Sequence, residues 1–218
     1  MRNAFQEELD SIHDTLVKMG KLVEESMSEA TKALLQPNLE IAEKVIKNDD
    51  VIDDMQHELD ARTMMIIARQ SPVAGDLRTL VTSLRMSADL ERMGDMAHHI
   101  AKLARMRFPN SAVPNEIKEI ITNMDRVAVS IIKKTTQSID TRNTTLALEL
   151  ERDDDEMDKL HRELIATLLA DEWSHGVETA IDMTLLGRYY ERCADHAVSI
   201  ARRVYFLATG EYPTPPVK

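Results

Sequence analysis

Covalent and aromatic supports are scarce in this chain. A single cysteine, Cys193, in 218 residues cannot close an internal disulfide, and it agrees with a reducing compartment. Aromatic residues make up only 4%, and there are only 6 glycines, a composition that favours helix over sheet. No run approaches the roughly 18 apolar residues that suggest a membrane span. The opening "MRNAFQEELD" has no apolar leader segment, so a cytoplasmic protein is expected. Basic blocks are missing as well. A net charge of −11 argues against nucleic acid and against anionic lipid, and a cationic partner or bound metal fits better. There is no phosphate-cradling glycine loop, no nucleophile elbow and no basic stripe with interleaved aromatics, so the chain is not expected to be an enzyme.

What is present is helix-forming and repetitive. Breakers at "LLQPN", "RQSPVAGD", "MRFPNSAVPN", "DTRN" and "DEWSHGVE" separate six segments of helical periodicity, at 4–35, 38–69, 73–106, 115–140, 143–171 and 176–208. At an offset of 105, Ala42, Val45, Asp49, Ile52, Asp53, Glu58 and Leu59 fall on Ala147, Leu150, Asp154, Met157, Asp158, Glu163 and Leu164. At an offset of 100, Glu91, Arg92, Asp95, Ala97, Ile100 and Ala101 fall on Glu191, Arg192, Asp195, Ala197, Ile200 and Ala201. The pattern predicts an all-α fold of two tandem three-helix bundles with antiparallel neighbours. The first bundle spans 1–108 and the second 115–210, with 211–218 a flexible tail and the two-proline segment 106–115 a hinge.

Within each half, carboxylates interrupt apolar stripes. The third segment reads Leu77, Leu80, Leu84, Ser87, Glu91, Gly94, His98 at seam spacing, and the sixth reads Val177, Ala180, Thr184, Gly187, Glu191, Ala194, Val198. Asp49 and Asp154 interrupt the second and fifth in the same way. An acidic residue, three others and an Asp therefore occur four times: Asp49 with Asp53, Glu91 with Asp95, Asp154 with Asp158, and Glu191 with Asp195. If the antiparallel helices of a half face one another, four carboxylates converge at one level. Coulomb repulsion forbids that with all four ionised and nothing between them. Protonation, salt bridges or hard cations each remove the repulsion, and an oxygen-only donor set suits iron, manganese or magnesium. Acid pairs four apart are also common on solvated helix faces, and "NDDVIDD" and "ERDDDEMD" are dense enough to be N-terminal turns. Repetition in register in both halves favours the seam, because exposed faces need not keep register.

His57, His98 and His161 each follow an Asp by three residues and are candidate additional ligands. Cys193 reads as packing, Met64 and Met65 as bundle core, and Trp173 as a cap over the bundle end. A ferritin-like di-iron enzyme would want Glu-x-x-His on two bundle helices, but only Glu172 and His175 have that spacing, in a breaker region. A metal-independent helical adaptor is the other alternative.

"DLERMGDMAHHIAKLA" and "YYERCADHAVSIARRV" resemble the two signature helices of the PhoU family, accessory regulators of bacterial phosphate uptake. "NDDVIDDM", "RQSPVAGDLR" and "ERDDDEMDKL" follow the family pattern in order, so the resemblance covers nearly all of the chain. It departs at Cys193 and Ala194, where an aliphatic residue and a glycine are common. The resemblance implies metal clusters held by Asp49, Asp53, Glu91 and Asp95 in one half and by Asp154, Asp158, Glu191 and Asp195 in the other. The ion implied is divalent or trivalent: iron, manganese, zinc or magnesium. It also implies a negative regulator that couples a phosphate ABC transporter, through its ATPase subunit, to a sensor histidine kinase, and a homodimer.

Overall fold

The computed structural model describes residues 2–213, so most of the tail expected at 211–218 lies outside the described residues. Six long helices account for nearly all of it: α1 (Arg2–Leu35), α2 (Leu39–Gln70), α3 (Ala74–Arg107), α4 (Lys118–Thr141), α5 (Thr144–Leu168) and α6 (Gly176–Thr209). The starts of α2 and α5 are fixed by the same device. The Asn38 side chain accepts from the Ile41 amide, and that of Asn143 accepts from the amides of Thr145 and Leu146, each satisfying donors that the first turn leaves free. The helices end close to the expected breakers, except that α5 stops at Leu168 and the chain turns through Trp173 before α6.

Each half is an antiparallel trio. In the first, α2 runs against α3, with Asp60 opposite Ser87 and Asp49 opposite His98. In the second, α5 runs against α6, where Arg202 donates to Glu151 over 3.0 Å. The halves then join through their equivalent helices: α1 packs on α4 and α3 on α6, while α2 and α5 form the outer flanks. Apolar side chains from all six helices make one continuous core. Both central pairs are antiparallel. On α3 and α6, Arg203 Nε donates to Asp89 Oδ2 at 3.0 Å, His196 Nδ1 lies 3.0 Å from Asp89 Oδ1, and Arg107 Nε donates to Asp182 at 2.7 Å. Between α1, α4 and α6, the buried Tyr190 hydroxyl meets Thr31 at 2.6 Å. Beside them, burial pushes the Asp125 carboxyl up to about 6, and the Thr31 hydroxyl offsets part of the shift.

Three sequence expectations change here. The linker expected to act as a hinge is anchored, because Ala112, Val113 and Ile117 are buried in the shared core. Met64 and Met65, expected in the core, are 60% and 51% exposed. Val177, at the start of the seam read on α6, is 76% exposed, and Leu77 on α3 lies half-open. Helical periodicity defines a face but does not say how far a neighbour covers it. At the offset of 100, exposed apolar residues recur at two equivalent places, Leu77 with Val177 and Val81 with Ile181, while Val73 and Leu185 are exposed in one half each.

Close approach of α1 and α4 depends on Gly20, where an added Cβ would stand 3.1 Å from both Cβ and Cγ2 of Thr136. Neither can swing away, since Thr136 is buried and its hydroxyl bonds to the Ile132 carbonyl. Gly20→Val is expected to destabilise the protein by about 1–3 kcal/mol through overpacking. Thr136→Ala in the same chain should recover part of the loss, as read by denaturant unfolding of both variants. Additive losses would show that the two residues do not share the contact.

Candidate metal centre

The antiparallel pairing of α2 with α3 sets Asp49 and Asp53 against Glu91 and Asp95. Asp49 is the only charged residue among those fully buried in the described residues. Its carboxylate touches the His98 ring, one helix away. Gly94 makes the approach close: a Cβ there would lie 3.1 Å from Ile52 Cδ1 and 3.6 Å from Asp49 Oδ1. Burial, then the charges of Asp49 and Asp95, pushes the Asp53 carboxyl above its ordinary range, against the opposing pull of the exposed His57. Burial and Asp95 raise Glu91 likewise, against Arg92. Arg92 reaches both acids, at 2.8 Å from Asp95 and 3.4 Å from Glu91. Asp53 Oδ1 and His98 Nε2 are buried without a hydrogen-bond partner among the described residues.

The second seam has the same framework and a different balance of charge. Asp154 is pushed up to about 6, first by burial and then by Asp158, Asp195, Asp155 and Glu191. Glu191 is raised by burial and by Asp195, with Arg188 and His161 opposing, and Arg188 pairs with it directly. Arg162 stands 3.7 Å from Asp158, and Asp195 is exposed at the mouth. The close approach that Gly94 provides in the first half lies about two turns nearer the start of the last helix in the second. At Gly187 an added Cβ would lie 2.7 Å from Leu164 Cδ2 and 3.1 Å from His161 Cδ2, so the His161 ring is packed at the α5–α6 contact. Ala194, the departure from the family pattern, is fully buried, as is Cys193, whose thiol burial pushes up to about 12. Cys193 packs within the hydrophobic core.

The two seams sit at the same level of the α3–α6 pair, where His99 of one stacks on Tyr189 of the other with centroids 5.1 Å apart. The structure thus places the acids of each predicted quartet along one seam, near enough to shift one another's acidity. The donor chemistry suits a hard cation: carboxylates of depressed acidity, two orphaned buried atoms in the first seam, and no thiolate. The side chains are gathered without converging on one point, since among the described residues no three His, Cys, Asp or Glu groups stand close enough to hold an ion. Arg92, Arg162 and Arg188 supply local counter-charge instead. Sequence reading missed these arginines as members of the seams, although the repeated Glu-Arg pairs at 91–92 and 191–192 placed cations beside both sites. The remaining candidate, the Glu172-x-x-His175 spacing, lies away from both seams, with His175 hydrogen-bonded to Glu116.

Tandem antiparallel trios, each with acidic residues along its flank, define a class of six-helix, two-repeat folds. The PhoU domain family model matches residues 16–104 and again 121–204, and the chain belongs to that family. The phosphate-specific transport system accessory protein PhoU homolog 2 of Mycobacterium tuberculosis is 43% identical over 98% of this chain and 100% of its own length. PhoU homolog 1 of Mycobacterium leprae is 42% identical over 98% and 96%. Among solved structures, the phosphate transport system regulatory protein PhoU from Streptococcus pneumoniae superposes with a TM-score of 0.85 at 25% identity, covering 96% of this chain and 99% of that one. PhoU from Pseudomonas aeruginosa gives 0.84 at 26%, covering 95% and 100%.

The raised Asp154 carboxyl has a consequence for stability. Its folded pKa lies above the unfolded value, so ionisation costs the folded state more. That cost is absent below about pH 4, grows as pH rises through about 6, and is complete above it. In chelator, Asp154→Asn should therefore raise the melting temperature at pH 7.5, by about 2–4 °C for each kcal/mol relieved. At pH 3.5 it should change little. A gain equal at both pH values would mean that charge is not the cause.

Proposed function

We propose that this chain is a cytoplasmic, non-catalytic negative regulator of phosphate uptake and phosphate-starvation signalling. It couples the ATPase subunit of a phosphate ABC transporter to a sensor histidine kinase, and hard metal ions bind its two acidic seams. The observation that carries the reading is the repeated quartet, at equivalent places in both halves of a chain that belongs to the PhoU domain family. The names of its relatives, accessory and regulatory proteins of phosphate transport, support the regulatory half. Among the described residues no helix is long and apolar enough to cross a membrane, so attachment to a membrane transporter falls to protein contacts. The apolar residues exposed in both halves, Val73, Leu77 and Val81 with Val177, Ile181 and Leu185, offer surface for such contacts and for a homodimer.

Asp49, Asp53, Glu91 and Asp95 would hold metal in the first seam, with His98 as a further donor and His57 at the rim. Asp154, Asp158, Glu191 and Asp195 would do so in the second, with His161 beside them. Bound iron, manganese, zinc or magnesium would supply positive charge where carboxylates now repel one another. The chain's own part is to fasten α2 to α3 and α5 to α6 through residues fixed on both helices, and so to set the stiffness of each flank. A metal-independent adaptor is the second reading, favoured by the arginines already paired with Asp95, Asp158 and Glu191. A carboxylate-bridged di-metal enzyme has weaker support, since its only Glu-x-x-His lies outside the seams.

Plasma mass spectrometry of gently purified protein tests the metal half. Stoichiometric metal is expected, lost when Glu91, Asp95, Glu191 and Asp195 are all replaced by Ala. Glu91→Ala with Asp95→Ala should lower the melting temperature of metal-loaded protein, by about 2–4 °C for each kcal/mol lost, and leave chelated protein nearly unchanged. Equal losses in both states, or metal content indifferent to the substitutions, would favour the adaptor. Deleting the gene should switch phosphate-starvation genes on in high phosphate; a reporter that stays off would overturn the regulatory half.

A further inference from the structure

The two halves differ most at the turn that leads into their last helix. "RQSPVAGD" in the first carries no aromatic residue, whereas "DEWSHGVE" in the second carries Trp173 and His175. This second turn, the end of α5 and the short 3₁₀ turn at Asn115–Ile117 enclose an open groove of about 550 Å³, within the range of ligand sites. Trp173 and His175 line it, in edge-to-face contact with centroids 4.9 Å apart. The indole Nε1 donates to the Gly176 carbonyl at 3.0 Å, which holds the ring in the groove wall, partly buried against the core.

Three carboxylates stand on the rim: Glu116, Glu163 and Glu172. His175 Nε2 lies 3.1 Å from Glu116, while Glu163 and Glu172 have no ion pair among the described residues. No three of these groups stand close enough to share a metal ion. The groove therefore suits a cation with size of its own. A guanidinium group is flat, can lie against an indole, and presents several N–H donors to separate carboxylates at once. An ammonium concentrates its charge at one point and suits a spread of acids less well.

We infer that this groove is a binding site for an arginine side chain presented by another protein. It is separate from the acidic seams, and the inference stands whether or not those hold metal. Because the first half has no counterpart of Trp173, a partner held here would engage one end of the pseudo-symmetric chain and not the other.

Trp173 is the only tryptophan in the chain, so its fluorescence reports on this groove alone. The full-length protein would be titrated with an acetylated, amidated Gly-Arg-Gly peptide, with its citrulline counterpart, and with spermidine. A saturable change in emission is expected with the arginine peptide, and binding about 10-fold weaker with citrulline, which keeps the shape and loses the charge. Glu163→Gln with Glu172→Gln should weaken the arginine peptide to a similar degree. Replacing the seam acids Glu91, Asp95, Glu191 and Asp195 by Gln should leave it unchanged. Circular dichroism melts of both variants check that each is folded. No saturable change up to 20 mM peptide, by fluorescence or by chemical shifts of the indole N–H, would overturn the site. So would binding indifferent to the Glu163 and Glu172 substitutions. Spermidine binding as tightly as the arginine peptide would overturn the choice of a guanidinium.

Discussion

Two three-helix units bury their apolar faces against each other, and the rest of the structure follows from that burial. Neither trio covers the inner surfaces of its first and third helices. Packing α1 on α4 and α3 on α6 removes both surfaces from water at once and merges the two into one core. The contact is tight because small residues sit where backbones approach, as Gly20 does against Thr136. Polar pairs fix its register: Asp89 with His196 and Arg203, and Tyr190 with Thr31. With the centre committed to this contact, α2 and α5 are left on the flanks. Each acidic quartet then falls where a flank helix meets the centre, between core and solvent.

That position explains the chemistry of the quartets. Deep burial of four carboxylates would force neutralisation, and full exposure would leave them ordinary. At the boundary, burial and mutual repulsion raise Asp53, Glu91, Asp154 and Glu191 together, while water and mobile arginines remain within reach. The halves answer the same problem unequally. The first places His98 against its most buried acid, whereas Asp154 has no such partner among the described residues and is pushed up to about 6, first by burial. Repetition has kept the framework and let the counter-charges diverge.

Departures from the repeat gather at the two linking regions. The segment after α3 is drawn into the core through Val113 and Ile117, which ties the halves together where a free hinge would have let them swing. The turn before α6 carries the lone tryptophan and the groove beside it. The first has no repeat in the chain and the second carries a tryptophan that the matching turn before α3 lacks, so both give direction to a fold whose two halves would otherwise be interchangeable.

The sequence by itself determined the six helices, their antiparallel order within each half and the acidic spacing that repeats in both. Those depend on local periodicity, on Asn38 and Asn143 as caps, and on registers that repeat along the chain. Only the tertiary structure decided what lies between elements distant in sequence. It paired α3 with α6, put Asp49 against His98, set Arg92 and Arg188 over the acids, and left Met64, Met65 and Val177 in solvent. A helix's own spacing specifies which residues share a face. Whether that face meets a neighbour, an ion pair or water depends on packing between segments as much as a hundred residues apart, which no local pattern records.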